Sequence, residues 1–381
     1  MRPTCAVIDL GAIAYNLGQI RARVAPARIM AVVKANAYGH GALEVASTAL
    51  ASGASYLGVA LVEEGMDLRA QGVKAPILVF GGVVPEQAAL FVENDLTATV
   101  YTPQAAEALA GAAQRLGKAA TVHVKIDTGM GRVGVAWKEA LSFLRWLTAQ
   151  EGLRVEGAYT HFATSDEKDK AFAELQLARF RQVVEGMEAM GLRLIKHAAN
   201  SGAILDMPES YFDLVRPGVM MYGYYPSPHT SRSLPLRPAM TFKTRVLFVK
   251  KVARGTSISY GRQFIAARPT TIATLPVGYA DGYNRLLSNR GEVLIRGRRY
   301  PVVGRVCMDQ IMVDLGPESD VQPGDEVVLF GRQGDEEVSV YSICEKLGTI
   351  PYEVTCWVSA RVPRVYTRGG SLNGDGDERT A

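Results

Sequence analysis

The 381-residue chain reads as an α/β protein, a TIM (β/α)8 barrel followed by a mainly β C-terminal domain. Three observations predict this. Strand-like runs beginning near Arg28, Ser55, Pro76, Thr97, Ala119, Leu153, Arg193 and Tyr211 alternate with amphipathic or Ala-rich stretches, and eight such alternations exceed the five or six of a typical doubly wound sheet. Beyond the Pro- and Ser-rich segment 226–238 (PSPHTSRSLPLRP) the apolar period changes to two. Finally, chemically reactive side chains fall at the carboxyl ends of the predicted strands, where this barrel places its chemistry.

In chain order, a short apolar opening strand leads to Asp9, a helix N-cap, and to Leu10, Ile13, Leu17, Ile20 and Val24 on one helical face. The first barrel strand follows and delivers Lys34. Helices are expected over Ala42–Ala51, Pro85–Val92, Pro103–Leu116, Lys138–Ala149 and Lys170–Met190. Past the linker, strands are expected over Thr241–Val252, Thr270–Pro276, Glu292–Ile295 and Ile311–Leu315, with a turn at Arg296-Gly297-Arg298 and late helices near Ser339–Leu347 and Tyr352–Ala360. The expected division is 1–235 for a cofactor-carrying barrel and 236–367 for a β-rich domain, with 368–381 a polar, glycine-rich disordered tail.

Composition excludes several classes of function. A net charge of +4 with interspersed Lys, Arg, Asp and Glu, and no basic tract interleaved with aromatics, argues against nucleic acid. Cys5, Cys307, Cys344 and Cys356 are scattered without a CxxC, and the five histidines form no HExxH, so no metal is expected and reduced thiols are. No window reaches the length of a membrane helix and the start lacks a signal peptide, which gives a cytoplasmic expectation.

Lys34 ends the apolar run of IMAVVKANAYGHG, where partial desolvation favours the neutral amine and imine formation; a lysine snorkelling to solvent is the plainer alternative. The other strand ends carry KIDTGMGR (Lys125 to Arg132), YTHFA with His161, HAANSG (His197 to Gly202) and VRPG (Arg216 to Gly218). Asn200, Ser201, Gly202 and Gly218, after the last two strands, stand where this fold most often holds phosphate, and Tyr38 adds a phenol. An amine and a phosphate cradle are the two halves of a pyridoxal-phosphate site. Arg216 facing the pyridine nitrogen would discourage its protonation and suit a proton that leaves and returns, although a structural salt bridge is also open. Racemisation needs acid/base groups on opposite faces: Lys34 is one, and Tyr260, in the glycine-flanked turn Ser259-Tyr260-Gly261, is the candidate for the other, with His161 and Arg216 as cationic or donor neighbours.

VVKANAYGHG, RPTCAVIDLGAIAYNL, DTGMGRVG, HFATSDE, HAANSGA, VRPGVMMYG, SYGRQF, LPVGYADGY, GRVCMDQIMVDL and IPYEVTC resemble, in this order, segments of the bacterial alanine racemases. The resemblance implies pyridoxal 5'-phosphate on Lys34, with Lys34 abstracting the proton of D-alanine and Tyr260 of the partner subunit that of L-alanine. It implies that Arg132 holds the substrate carboxylate and the cofactor phenolate oxygen with help from the backbone of Met308, and that Tyr38, Ser201, Gly218 and Tyr352 contact the phosphate. His161 is implied to orient Tyr260, His197 to pack against the ring, Arg216 to meet the ring nitrogen, and Tyr279 to line the substrate entrance. Lys125 matches a lysine carried by some members as a carbamate beside Arg132; an ordinary lysine paired with Asp127 is the alternative. A homodimer with shared active sites, making D-alanine for peptidoglycan from a small amino acid, is what the family predicts. A racemase of serine or basic amino acids is the nearest alternative, followed by a decarboxylase of the same architecture.

Overall fold

The computed structural model describes residues 2–368 and the backbone of 379–380, and divides into two compact units. One comprises 13–37 and 41–237, the other 2–12, 38–40 and the described residues from 238.

In the first unit, Arg28–Val32, Tyr56–Val59, Ile77–Val79, Thr97–Val100, Ala120–Asp127, Leu153–Tyr159, Ile195–His197 and Leu214–Val215 form the eight parallel barrel strands. The eighth pairs with the first through Leu214↔Arg28 and Val215↔Ile29. The seventh and eighth meet through Asp213 N–H to Lys196 O (3.1 Å) and Arg216 N–H to Ala199 O (2.9 Å). Every expected strand start lies within three residues of an observed strand. Strand alternation sends Met30, Tyr56, Leu78, Tyr159 and Leu214 into one interior cluster. The helices Ala42–Ala51 and Pro103–Leu116 have the expected bounds; Pro85–Gln87 is instead a 3-10 turn leading to the helix Ala88–Glu93. Segment 226–237 is fastened to this unit, with Tyr225 Oη donating to Leu234 O (2.7 Å) and Arg237 N–H to Asn16 Oδ1 (2.8 Å).

One register shift matters for the site. The fifth and sixth strands pair Val122↔Val155 and then His123↔Gly157, so Glu156 is an extra residue, a bulge that re-aims its side chain. A Cβ on Gly157 would lie 2.6 Å from the His123 ring, so this glycine is the space the imidazole occupies.

The second unit is mainly β. Its largest sheet includes Met240–Arg245, Glu292–Ile295, Arg298–Pro301 and Glu326–Gln333. The opening strand Cys5–Asp9 lies in it, antiparallel to Met240–Arg245 and parallel to Arg364–Thr367, rather than in the barrel, because these neighbours satisfy both its edges. Asp9 Oδ1 accepts Ala12 N–H at 3.1 Å, the expected cap. Thr241–Val252 is broken into Met240–Arg245 and Phe248–Val252. Arg296 and Gly297, at φ 52° and 70°, make the hairpin turn. The late helices are Val340–Leu347, capped by Ser339, and the shorter Pro351–Cys356. Of the expected tail 368–381, residues 369–378 and 381 lie outside the described residues, while Arg379–Thr380 pairs as a strand with Val365–Tyr366. No helix among the described residues is long and apolar enough to cross a membrane.

Candidate active site

Lys34 keeps the parity of Met30 and Val32, and so follows the inward face of the first strand to the barrel mouth, where it is partly buried. The chain then turns left-handed: Ala35, Asn36, Ala37 and Tyr38 have φ of 53°, 50°, 53° and 54°. Each costs about 1–2 kcal/mol for an L-residue other than Asn, so surrounding bonds must hold the turn. Glu64 Oε1 accepts Ala35 N–H (2.6 Å), Asn36 Oδ1 accepts Ala42 N–H (2.8 Å), and Ala37 N–H reaches Val33 O (2.8 Å). Glu64 and Asn36 escape a reading of sequence alone, since both look like ordinary polar residues of a helix and a loop.

Behind the mouth runs a file of hydrogen bonds. The buried Arg216 donates through Nη2 to Thr160 O (2.7 Å) and Ala198 O (2.9 Å), and through Nη1 to His197 Nδ1 (2.9 Å). With Nδ1 an acceptor, His197 carries its proton on Nε2 and donates to His123 Nδ1 (2.8 Å); His123 then donates from Nε2 to Glu156 Oε2 (3.2 Å), which also accepts from Tyr56 Oη. Burial, reinforced by the Arg216 charge, drives the His197 pKa well below its ordinary value, and burial lowers that of His123 despite Glu156. The His123 bond holds the Glu156 carboxyl at about 2 against the opposing effect of burial. Burial also brings Arg216 down to about 10. The file is therefore neutral imidazoles between an arginine and a carboxylate. His197 stacks on Tyr159 with centroids 4.7 Å apart and planes 7° from parallel. Among the described residues Arg216 makes no salt bridge; its partners are carbonyls and imidazoles.

His161 Nδ1 faces Arg216 Nη2 at 3.3 Å. Burial and the charges of Arg216, Lys125, Arg132 and Lys34 push its pKa far down, which disfavours the cation that was one of its expected forms. Lys125 is buried, donates to Ile126 O (3.1 Å), and lies 5.3 Å from the Tyr159 ring centroid. Burial, then Arg216, brings its pKa to about 7. Asp127 instead accepts Gly129 N–H (2.9 Å) and Gly131 N–H (3.1 Å), shaping the loop that presents the exposed Arg132. At the last strand ends, Asn200 caps the next helix through Ala203 N–H (3.1 Å), and Ser201 Oγ accepts Gly218 N–H (3.0 Å), leaving its own hydrogen to donate.

The remaining predicted residues belong to the second unit. Tyr38 and Tyr352 lie side by side, ring centroids 5.9 Å apart, and burial raises the Tyr38 pKa so that the phenol stays a donor. Residues 38–40 are seated there because a Cβ on Gly39 would fall 2.3 Å from Thr355 O, and Arg364 Nε holds Gly39 O at 3.0 Å. Tyr260, Tyr279 and Met308 are 71%, 41% and 52% exposed. One segment ties them together: Ser259 Oγ donates to Arg305 O (2.6 Å), Tyr279 N–H to Cys307 O (3.0 Å) and Ala280 N–H to Met308 O (3.1 Å). Among the described residues no cluster of three or more His, Cys, Asp or Glu side chains could hold a metal ion.

Residues 8–226 match the family model "Alanine racemase, N-terminal domain" and residues 239–366 match "Alanine racemase, C-terminal domain". The chain belongs to the alanine racemase family. An alanine racemase of Desulforamulus reducens is 50% identical over 96% of this chain and 99% of its own, and alanine racemase 2 of Caldanaerobacter subterraneus subsp. tengcongensis is 48% identical over 98% and 97%. Among solved structures, the alanine racemase of Clostridium difficile 630 superposes with a TM-score of 0.94 at 40% identity, covering 100% of this chain and 98% of that one. A histidine racemase of Leuconostoc mesenteroides is more distant, at 29% identity and a TM-score of 0.88 over 96% and 98%.

Proposed function

We propose that this enzyme interconverts L- and D-alanine with pyridoxal 5'-phosphate, by two acid/base groups drawn from two subunits of a homodimer. The observation that carries the reading is Arg216, held as a hydrogen-bond donor by His197 and two carbonyls where a carboxylate would serve other pyridoxal chemistry. The donor set fits the cofactor: an amine at Lys34, the Arg216 guanidinium for the ring nitrogen, the flat His197 ring for stacking, and the Ser201 hydroxyl, the Gly218 backbone and the phenols of Tyr38 and Tyr352 for a phosphate. When bound, the cofactor supplies an electron-accepting ring that makes the α-hydrogen of an attached amino acid acidic.

The chain's own groups do the rest. Lys34 Nζ removes or returns the proton on one face, and Tyr260 Oη of the partner subunit does so on the other; opposite approach is what inverts the centre. His161, neutral, orients that phenol by donation, while Arg132 and the partner subunit's Met308 backbone hold the substrate carboxylate. Arg216 keeps its proton and would offer the cofactor's ring nitrogen a hydrogen bond without a full charge, an arrangement that would disfavour side reactions. The exposure of Tyr260, Tyr279 and Met308 on one tied segment supports their delivery to a partner subunit. A cytoplasmic source of D-alanine for peptidoglycan is the role this chemistry serves.

Alanine is favoured over larger substrates because the alanine racemases named above are 40–50% identical and the histidine racemase 29%. Racemisation rates on L-alanine, L-serine, L-lysine and L-arginine test this. L-Alanine is turned over fastest; faster turnover of any of the others, or of none, contradicts it.

A further inference from the structure

We propose that Glu64 is the positioning residue of Lys34: one carboxylate oxygen fixes the peptide that follows the lysine, and thereby the direction in which the amine leaves the barrel strand. The proposal rests on the reading of Lys34 as the cofactor and proton-transfer lysine.

Lys34 is bracketed by two backbone anchors. Before it, Val33 N–H donates to Gly58 O at 2.8 Å on the second strand; after it, Ala35 N–H donates to Glu64 Oε1 at 2.6 Å. Ala35 is the first left-handed residue, so this second bond fixes the peptide plane at the point where the strand becomes a reversed turn. Neither Ala35 nor Ala37 has any preference for such a conformation. The ordinary role for an acid at this place is to cap its own helix, Val62–Ala70. Glu64 Oε2 performs that role, accepting Ala60 N–H (2.7 Å) and Leu61 N–H (3.2 Å). Oε1 is not needed for it and turns to the lysine loop instead. The carboxylate thus divides its labour between helix capping and lysine placement, one oxygen each.

That division makes the two roles separable. In Glu64→Gln, the remaining acceptor oxygen is claimed by the two N–H groups of the helix start, and an amide nitrogen is left facing the N–H of Ala35. Helix capping survives while the lysine anchor is lost. Three readouts are taken on wild type, Glu64→Gln and Glu64→Ala: thermal unfolding without cofactor, amide exchange of residues 35–38 without cofactor, and the rate at which pyridoxal 5'-phosphate is fixed to Lys34 by borohydride. Glu64→Gln is expected to melt within about 2 °C of wild type, to exchange the Ala35 amide at least about tenfold faster, and to trap at Lys34 about tenfold more slowly, as loss of one charge-assisted hydrogen bond requires. Glu64→Ala should show the same exchange and trapping changes together with a lower melting temperature.

Trapping and Ala35 exchange at wild-type rates in Glu64→Gln overturn the proposal alone. Absence of any adduct at Lys34 in the wild-type chain overturns the functional reading and the proposal with it. Should Glu64→Gln not fold, the wild-type chain still decides: Ala35, exposed as it is, must exchange at least about tenfold more slowly than an unstructured amide, and unprotected exchange rejects the anchor.

Discussion

Arg216 donates to Nδ1 of His197 across 2.9 Å, and this one bond assigns the proton on every ring behind it. His197 must donate from Nε2 to His123, and His123 from Nε2 to Glu156. Nitrogen-detected NMR of the cofactor-free chain should find both rings as neutral Nε2–H tautomers at pH 6. An Nδ1–H tautomer at either ring would break the file. For the enzyme, Arg216→Glu should lower kcat by about 10²–10³ and raise the formation of pyruvate by transamination. Wild-type by-product levels in that variant would remove Arg216 from control of the ring nitrogen.

The same rings set a pH dependence of stability. His123 and His197 have folded-state pKa values below their ordinary value, so below about pH 6.5 the unfolded chain binds protons that the folded chain does not. Stability is complete above that pH and is lost as pH falls from about 7 to 5, by about 1.4 kcal/mol per pH unit for each ring. Glu156, depressed to about 2, acts lower down: its contribution is present above its unfolded pKa and disappears as pH falls through the folded value. Urea unfolding at pH 7, 6 and 5 checks this. His123→Asn should flatten the slope by about one ring's share, and an unchanged slope would show that His123 is not buried in neutral form.

The barrel strands were legible because each is a short apolar run bounded by turn residues, and the reactive groups because this fold puts chemistry at strand ends. Glu326–Gln333 was not legible, since EVVLFGRQ is buried on consecutive residues and lacks alternation. The left-handed turn could not be read from ANAY, which contains no glycine; it exists because Glu64 and Asn36 hold it. His123 and Glu156 were hidden for another reason. Their meeting depends on a bulge at Glu156 and on the missing side chain of Gly157, and neither leaves a periodic signal.

Lys125 offers a chemical prediction. At a pKa of about 7 its amine is neutral above neutrality, and the neutral form adds carbon dioxide, forming an N–C bond and releasing a proton to water. The carbamate should therefore form above pH 7 and decline below it. Carbon-13 NMR with labelled bicarbonate at pH 8 should give a carbamate resonance that Lys125→Ala lacks. No resonance, or one that survives the substitution, favours a plain lysine.

The shared, two-base site is tested most directly by mixing two inactive variants, Lys34→Ala and Tyr260→Phe. If each site takes Lys34 from one chain and Tyr260 from the other, a hybrid dimer carries both lesions in one site and none in the other. Equal mixing makes half of the dimers hybrid, each with one working site, so racemisation of L-alanine should return to about a quarter of the wild-type rate. No recovery in a mixture that native mass spectrometry shows to contain hybrids would contradict the account.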